Sequence, residues 1–174
     1  MALTSVLITG GCGFIGSAIA RALVEKHPEC SITVLDKNPP SVMHEVPSCV
    51  SFIAADLASS REIREAVLRV RPLVLIHTAG IVPALKDRFG RALESLTWNV
   101  NVDGTKRVLE AAKEAGVRAF VFTSSCCAIT DDFRASYPYI NESWPTSRSS
   151  LIYGESKVGI TSTAARRQGL VRIY

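Results

Sequence analysis

Thr9-Gly10-Gly11-Cys12-Gly13-Phe14-Ile15-Gly16 constrains this chain more than any other segment. It follows a short apolar run, Val6-Leu7-Ile8, and leads into Ser17-Ala18-Ile19-Ala20-Arg21-Ala22-Leu23-Val24, which reads as a helix. A strand that breaks into glycines and re-emerges as a helix gathers unpaired N–H groups at the positive end of a helix dipole. A phosphate anion is held there. Gly10 permits the tight turn, Gly13 lets a pyrophosphate approach the backbone, and Gly16 lets helix and strand pack closely. Phe14 and Ile15, between these glycines, are further candidate cofactor-binding positions. Asp36 ends the stretch Ser31-Ile32-Thr33-Val34-Leu35, twenty residues past Gly16. An acid there accepts hydrogen bonds from ribose hydroxyls and repels a 2′-phosphate, so the expected dinucleotide is NAD.

The rest of the chain alternates strand and helix, which predicts a doubly wound α/β fold: a parallel sheet of about six strands with helices on both faces. After the loop and its helix come strands at 32–35 and 50–54. A helix over 59–70 follows, with Ser59 as its cap and Glu62 three residues on. Strands at 73–76 and 119–122 flank a long helical stretch that runs to Ala115, where Gly116 ends it. A polar loop with Pro138 and Pro145 precedes a helix over 149–168, and 170–174 reads as the sixth strand. At 174 residues this fills a single domain over 1–174, with no C-terminal substrate domain expected.

Composition narrows the class. Hydrophobic residues make up 47% of the chain, enough for a packed core and too many for disorder. The net charge of +4 is spread out; Arg61, Arg64, Arg69 and Arg71 read as the solvated face of a helix, so no nucleic-acid partner is expected. No apolar stretch reaches membrane-spanning length and no signal sequence is apparent, so the expected location is the cytoplasm. The five cysteines (Cys12, Cys30, Cys49, Cys126 and Cys127) form no C-x-x-C pair and no ligand cluster. They read as reduced, buried packing residues, and no metal site is expected.

In doubly wound sheets, ligands sit beyond the carboxyl ends of the strands. Asp56-Leu57 follows strand three, His77-Thr78-Ala79-Gly80 follows strand four, and Thr123-Ser124-Ser125 follows strand five. Asn101 lies in the long helical segment, where its side chain could simply join two turns, and His77 reads as a strand-end residue satisfied by backbone. Tyr153 and Lys157 stand four apart on one helix face. A tyrosine hydroxyl titrates near ~10 and is a poor base at neutral pH. A neighbouring ammonium favours the phenolate and brings it towards useful acid/base strength. With a serine hydroxyl on the same oxygen, such a pair moves a proton on or off a carbinol while a nicotinamide exchanges hydride.

The ordered set resembles the extended short-chain dehydrogenase/reductases, a Rossmann-fold superfamily, and within it most resembles the 3β-hydroxysteroid dehydrogenase/isomerase family. The segments that carry the resemblance are 9–16, Asp56-Leu57, His77-Thr78-Ala79, Asn101-Val102-Asp103-Gly104-Thr105, Phe122-Thr123-Ser124-Ser125, Asn141-Glu142-Ser143-Trp144-Pro145 and Tyr153-Gly154-Glu155-Ser156-Lys157. The resemblance implies Tyr153 as general acid/base, Lys157 as its electrostatic partner and ribose ligand, and Ser125 as donor to the substrate oxygen. It implies Asp36 on the adenine ribose and Asp56-Leu57 beside the adenine, with Thr78, Ala79, Gly80 and Asn101 around the cofactor. It further implies an apolar small-molecule substrate and a homodimer formed by the helices near 88–115 and 149–168.

Two departures stand out. Val158-Gly159-Ile160-Thr161 replaces the small residues and glutamate usual after the lysine, and relatives continue beyond strand six into a domain that closes over the nicotinamide. The expected function is NAD-dependent oxidation or reduction of a secondary alcohol or ketone on a steroid-like molecule. The alternatives are a non-redox isomerase, cyclase or dehydratase in the same pocket, a non-catalytic dinucleotide-binding module and, least supported, a nucleotide-sugar epimerase.

Overall fold

The computed structural model describes residues 3–84, 87, 91–129, 136, 138–141, 144, 149, 151–165 and 171–173. Several expected features therefore lie outside the described residues, among them Arg88, Glu142, Ser143, Pro145, Gln168, Leu170 and Tyr174.

Six strands form one parallel sheet: β1 (Ser5–Thr9), β2 (Ser31–Asp36), β3 (Ser51–Ala54), β4 (Val74–His77), β5 (Ala119–Phe122) and β6 (Val171–Ile173). Their order is β3-β2-β1-β4-β5-β6, so the direction of winding reverses between β1 and β4. That switch leaves a crevice at the strand ends, where Thr9 pairs with Leu35 on one side and with His77 on the other.

The period-two pattern of each strand explains the two layers. On one face Leu7, Leu35, Leu75, Phe120 and Phe122 pack against Ile63 and Val67 of α2 (Ser60–Val70). Val108 and Ala112, on a helix that follows β4, complete that cluster. On the other face Val6, Ile8, Ile32 and Val34 meet Ala20 of α1 (Phe14–Lys26). Both faces are buried, as a parallel sheet requires.

Helix ends follow local chemistry. Ser59 Oγ accepts the Glu62 N–H as expected of a cap, and Gly116 ends its helix at φ 74°, in the left-handed region. Glu62 reaches back past Ser59 to accept the Asp56 N–H at 2.9 Å, which ties α2 to the end of β3. On the solvated face of α2, Arg64 pairs with Glu114.

Some expectations need correction. α1 starts at Phe14, ahead of Ser17, because the turn after Gly13 is already helical. The long stretch before Ala115 is not one helix: among the described residues from Glu94 on it divides into α3 (Glu94–Thr97), a π-helical segment (Trp98–Asp103) and α4 (Gly104–Ala115). The described part of the last helix, α5, is Ile152–Ala165. Of the cysteines only Cys12 and Cys30 are buried; Cys49 is exposed ahead of β3, and a short 3-10 turn at Cys126–Ala128 leaves Cys126 exposed and Cys127 half-buried. None of the five is in a disulfide.

Candidate active site

The glycine loop closes onto its neighbours. Gly10 has φ +69°, and a Cβ there would lie 2.6 Å from the Ala79 backbone, so both conformation and space demand glycine. A Cβ on Gly16 would lie 2.2 Å from the Gly10 carbonyl oxygen, so α1 seats directly on the loop. The loop spends its first amides internally: Gly10 and Gly11 donate to the Leu35 carbonyl and Gly13 donates to that of Gly10. The donors left for an anion are those of Phe14, Ile15 and Gly16, which an α-helix cannot pair internally. Gly13 offers no side-chain cap and the first turn holds no acid. An open, uncapped helix end suits a pyrophosphate.

Asp36 leans across this loop. Its Oδ2 accepts the Cys12 N–H at 3.1 Å and its Oδ1 the Asn38 N–H at 3.1 Å. Burial, followed by the Asp36 carboxylate, pushes the Cys12 thiol up to about 11, so it is an ordinary protonated side chain. Asp56 accepts the Ala58 N–H at 2.9 Å, and the Lys37 ammonium at 2.7 Å holds its carboxyl below the usual range. Leu57 is buried, and its carbonyl accepts from Arg107 at 3.0 Å.

The end of β4 is fastened to β1 by Thr78, whose N–H and hydroxyl both donate to the Thr9 carbonyl, at 3.0 and 2.8 Å. Gly80 brings bare backbone between two polar groups: its Cβ would meet Asn101 Oδ1 at 3.1 Å and Lys157 Nζ at 3.8 Å. Asn101, fully buried in the π-helical segment, does more than join helical turns. Its Oδ1 accepts the Ile81 N–H at 2.8 Å, and its Nδ2 donates to the Ile81 carbonyl and to Ser156 Oγ, both at 3.0 Å. It therefore binds the strand-end loop to α5.

On α5, Lys157 Nζ lies 5.6 Å from the centre of the Tyr153 ring and 4.9 Å from that of Phe122, and it donates to the Thr123 carbonyl at 3.1 Å. Burial lowers the Lys157 pKa to about 8. Ser125 caps the turn at Cys126–Ala128, its Oγ accepting the Cys127 N–H at 3.2 Å. That turn is pressed against α5, since a Cβ on Gly154 would stand 2.2 Å from the Cys127 carbonyl oxygen. Ser125 and Tyr153 thus flank one tight contact.

His77 is completely buried, but its partners are hydroxyls and not backbone: Thr9 Oγ1 at 2.5 Å and Thr105 Oγ1 at 2.7 Å. Thr9, Thr105, Thr123 and Ser156 lie inside the motif segments of the sequence, which assign none of them a role of its own. Beyond those segments, the signal for them is spacing: Thr105 stands four residues after Asn101 and Ser156 three after Tyr153. Elsewhere, an open depression of about 670 Å³ between α3 and α5 is lined by Arg91, Trp98, Asp103 and Glu155, with none of the strand-end residues.

An NAD-type glycine loop, an acid ending β2 and a Tyr–Lys pair beside β4 and β5 define a dinucleotide-binding α/β protein of the extended short-chain dehydrogenase type. Residues 6–169 match the NAD dependent epimerase/dehydratase family, and the chain belongs to that family. Human 3 beta-hydroxysteroid dehydrogenase type 7 is 38% identical over 123 residues, covering 68% of this chain and 32% of that protein. A sterol-4-alpha-carboxylate 3-dehydrogenase (decarboxylating) of Candida albicans is 32% identical over 150 residues, covering 82% and 40%. Among solved structures, Thermus thermophilus UDP-glucose 4-epimerase in complex with NAD superposes with TM-score 0.81 at 28% identity, covering 98% of this chain and 54% of that one. The chain thus spans about a third of the human relative and about half of the epimerase. NAD is the cofactor of the family.

Proposed function

We propose that this chain binds NAD and serves the oxidation or reduction of a secondary alcohol or ketone on a steroid-like, polycyclic substrate. The observation that carries this reading is the buried Lys157 ammonium 5.6 Å from the Tyr153 ring, at the same strand ends as the open helix terminus. The amides of Phe14, Ile15 and Gly16 hold the pyrophosphate, and Asp36 accepts from the adenine ribose hydroxyls. Asp56 and Leu57 border the adenine, and Thr78, Ala79 and Gly80 line the floor. When bound, NAD supplies a nicotinamide that accepts or returns hydride.

The chain's own residues handle the proton. The positive charge of Lys157 favours the Tyr153 phenolate, which takes the proton of a carbinol or returns it to a carbonyl oxygen. Ser125 Oγ donates a hydrogen bond to the same oxygen, and Asn101 keeps α5 in place. The steroid class is supported by the hydroxysteroid and sterol dehydrogenases among the sequence relatives. The test is absorbance at the reduced-nicotinamide band with a panel of 3β-hydroxysterols. NAD reduction that disappears in Tyr153→Phe upholds the reading. NAD binding without reduction of any member, or turnover without reduced cofactor, contradicts it.

A homodimer is part of the proposal, formed by the α3–α5 face where Leu96 is half exposed and Trp98 more than a third exposed. Sedimentation at micromolar concentration should show a dimer; a monomer alone would contradict it.

A further inference from the structure

The hydroxyls around His77 settle which ring nitrogen carries the proton. Thr105 Oγ1 lies 2.6 Å from the Asn101 carbonyl, which can only accept, so the single hydroxyl proton of Thr105 is spent there. Towards His77 Nε2, at 2.7 Å, Thr105 must therefore accept, and Nε2 must carry hydrogen. In a neutral ring Nδ1 is then a bare lone pair, and Thr9 Oγ1 donates to it at 2.5 Å. The ring is completely buried between Phe120 and Phe122, and the charged group facing it is Lys157 of α5. A second positive charge in that position is opposed both by burial and by the ammonium.

Beyond Thr105 the chain of donors continues in the same sense. Asn101 Nδ2 donates to Ser156 Oγ at 3.0 Å, and Ser156 Oγ donates to the Tyr153 carbonyl at 2.7 Å. Thr9, His77, Thr105, Asn101 and Ser156 are each at most 1% exposed. The series begins one residue before the glycine loop and ends on the residue proposed as acid/base.

We propose that His77, held as the neutral Nε2–H tautomer, is a positioning residue that sets the cofactor loop in register with the Tyr153–Lys157 helix. It acts through two threonines: Thr9 on β1, next to Gly10, and Thr105 on α4, behind Asn101. Because each donor in the series has its acceptor assigned, reversing one member leaves a buried partner unmatched. Fixed hydrogen-bond direction gives one relative placement of loop and helix where apolar packing would tolerate several. The consequence for function rests on the NAD reading above, whereas the tautomer does not.

Nitrogen-15 NMR of the imidazole, alongside calorimetric titration with NAD, tests both parts. In the unmodified chain the account predicts a neutral ring with hydrogen on Nε2, unchanged between roughly pH 5 and 8. Thr105→Val removes the acceptor, so the Nε2–H signature should be lost and NAD binding should weaken about tenfold. Thr105→Ser should restore both, which a purely volumetric effect would not do. Hydrogen on Nδ1 or a charged ring in the unmodified chain would overturn the proposal without any variant being needed. So would a folded Thr105→Val protein with unaltered NAD affinity. An Nε2–H ring in a chain that does not bind NAD at all would uphold the tautomer and overturn the NAD reading instead.

Discussion

The ammonium of Lys157 donates to the Thr123 carbonyl at 3.1 Å from a position only 4% exposed, which joins α5 to the end of β5. Burial lowers its pKa from 10.5 to about 8. The unfolded chain therefore holds a proton that the folded chain has released between these values, and stability rises with pH across the window. The gain is roughly 3 kcal/mol from pH 8 to pH 10.5. Denaturant unfolding at a series of pH values should show this rise, and Lys157→Met should flatten it.

At the other end of the pH range His77 acts in the same direction. Burial first, and Lys157 second, lower its pKa from 6.5 to about 3. Only the unfolded chain takes up this proton between the two values, so the contribution is complete above pH 6.5 and is lost as pH falls towards 3. About 1.4 kcal/mol should go with each pH unit. Thermal unfolding followed from pH 7 to pH 4.5 should give this slope, and His77→Gln should give a shallower one.

Gly10→Ala meets two penalties at once: a left-handed backbone and a Cβ 2.6 Å from Ala79. The expected loss is roughly 3 kcal/mol, measured by urea unfolding. A change below about 1 kcal/mol would mean that the turn is not held as tightly as described.

Thr97 carries the one buried side-chain polar atom without a hydrogen-bond partner among the described residues. An unmatched hydroxyl in the interior is a liability, so Thr97→Val should leave stability unchanged or raise it by about 1 kcal/mol. A clear loss on urea unfolding would contradict this.

Most of the fold was legible because its signals are local. The glycines at 10 and 16, the Ser59 cap and the Gly116 terminator each answer a backbone demand visible in a few residues. Tyr153 and Lys157 were legible by helical spacing. What escaped depends on neighbours distant in sequence. Thr9 and His77 are 68 residues apart, and Asn101 and Ser156 are 55 apart, so no window along the chain joins them. The π-helical turn that directs Asn101 inwards has no composition of its own, and the outward Cys126 follows from a three-residue turn capped by Ser125. Which loop amides stay open to an anion is equally a long-range matter: Leu35 takes those of Gly10 and Gly11 because β2 ends beside the loop.

Calorimetric titration of this chain with NAD and NADP, with Gly16→Val as control, tests the central claim most directly. The account predicts saturable binding of NAD, at least tenfold weaker binding of NADP because Asp36 repels the 2′-phosphate, and no binding by Gly16→Val. Absence of NAD binding by the folded chain, or equal affinity for the two dinucleotides, would contradict it.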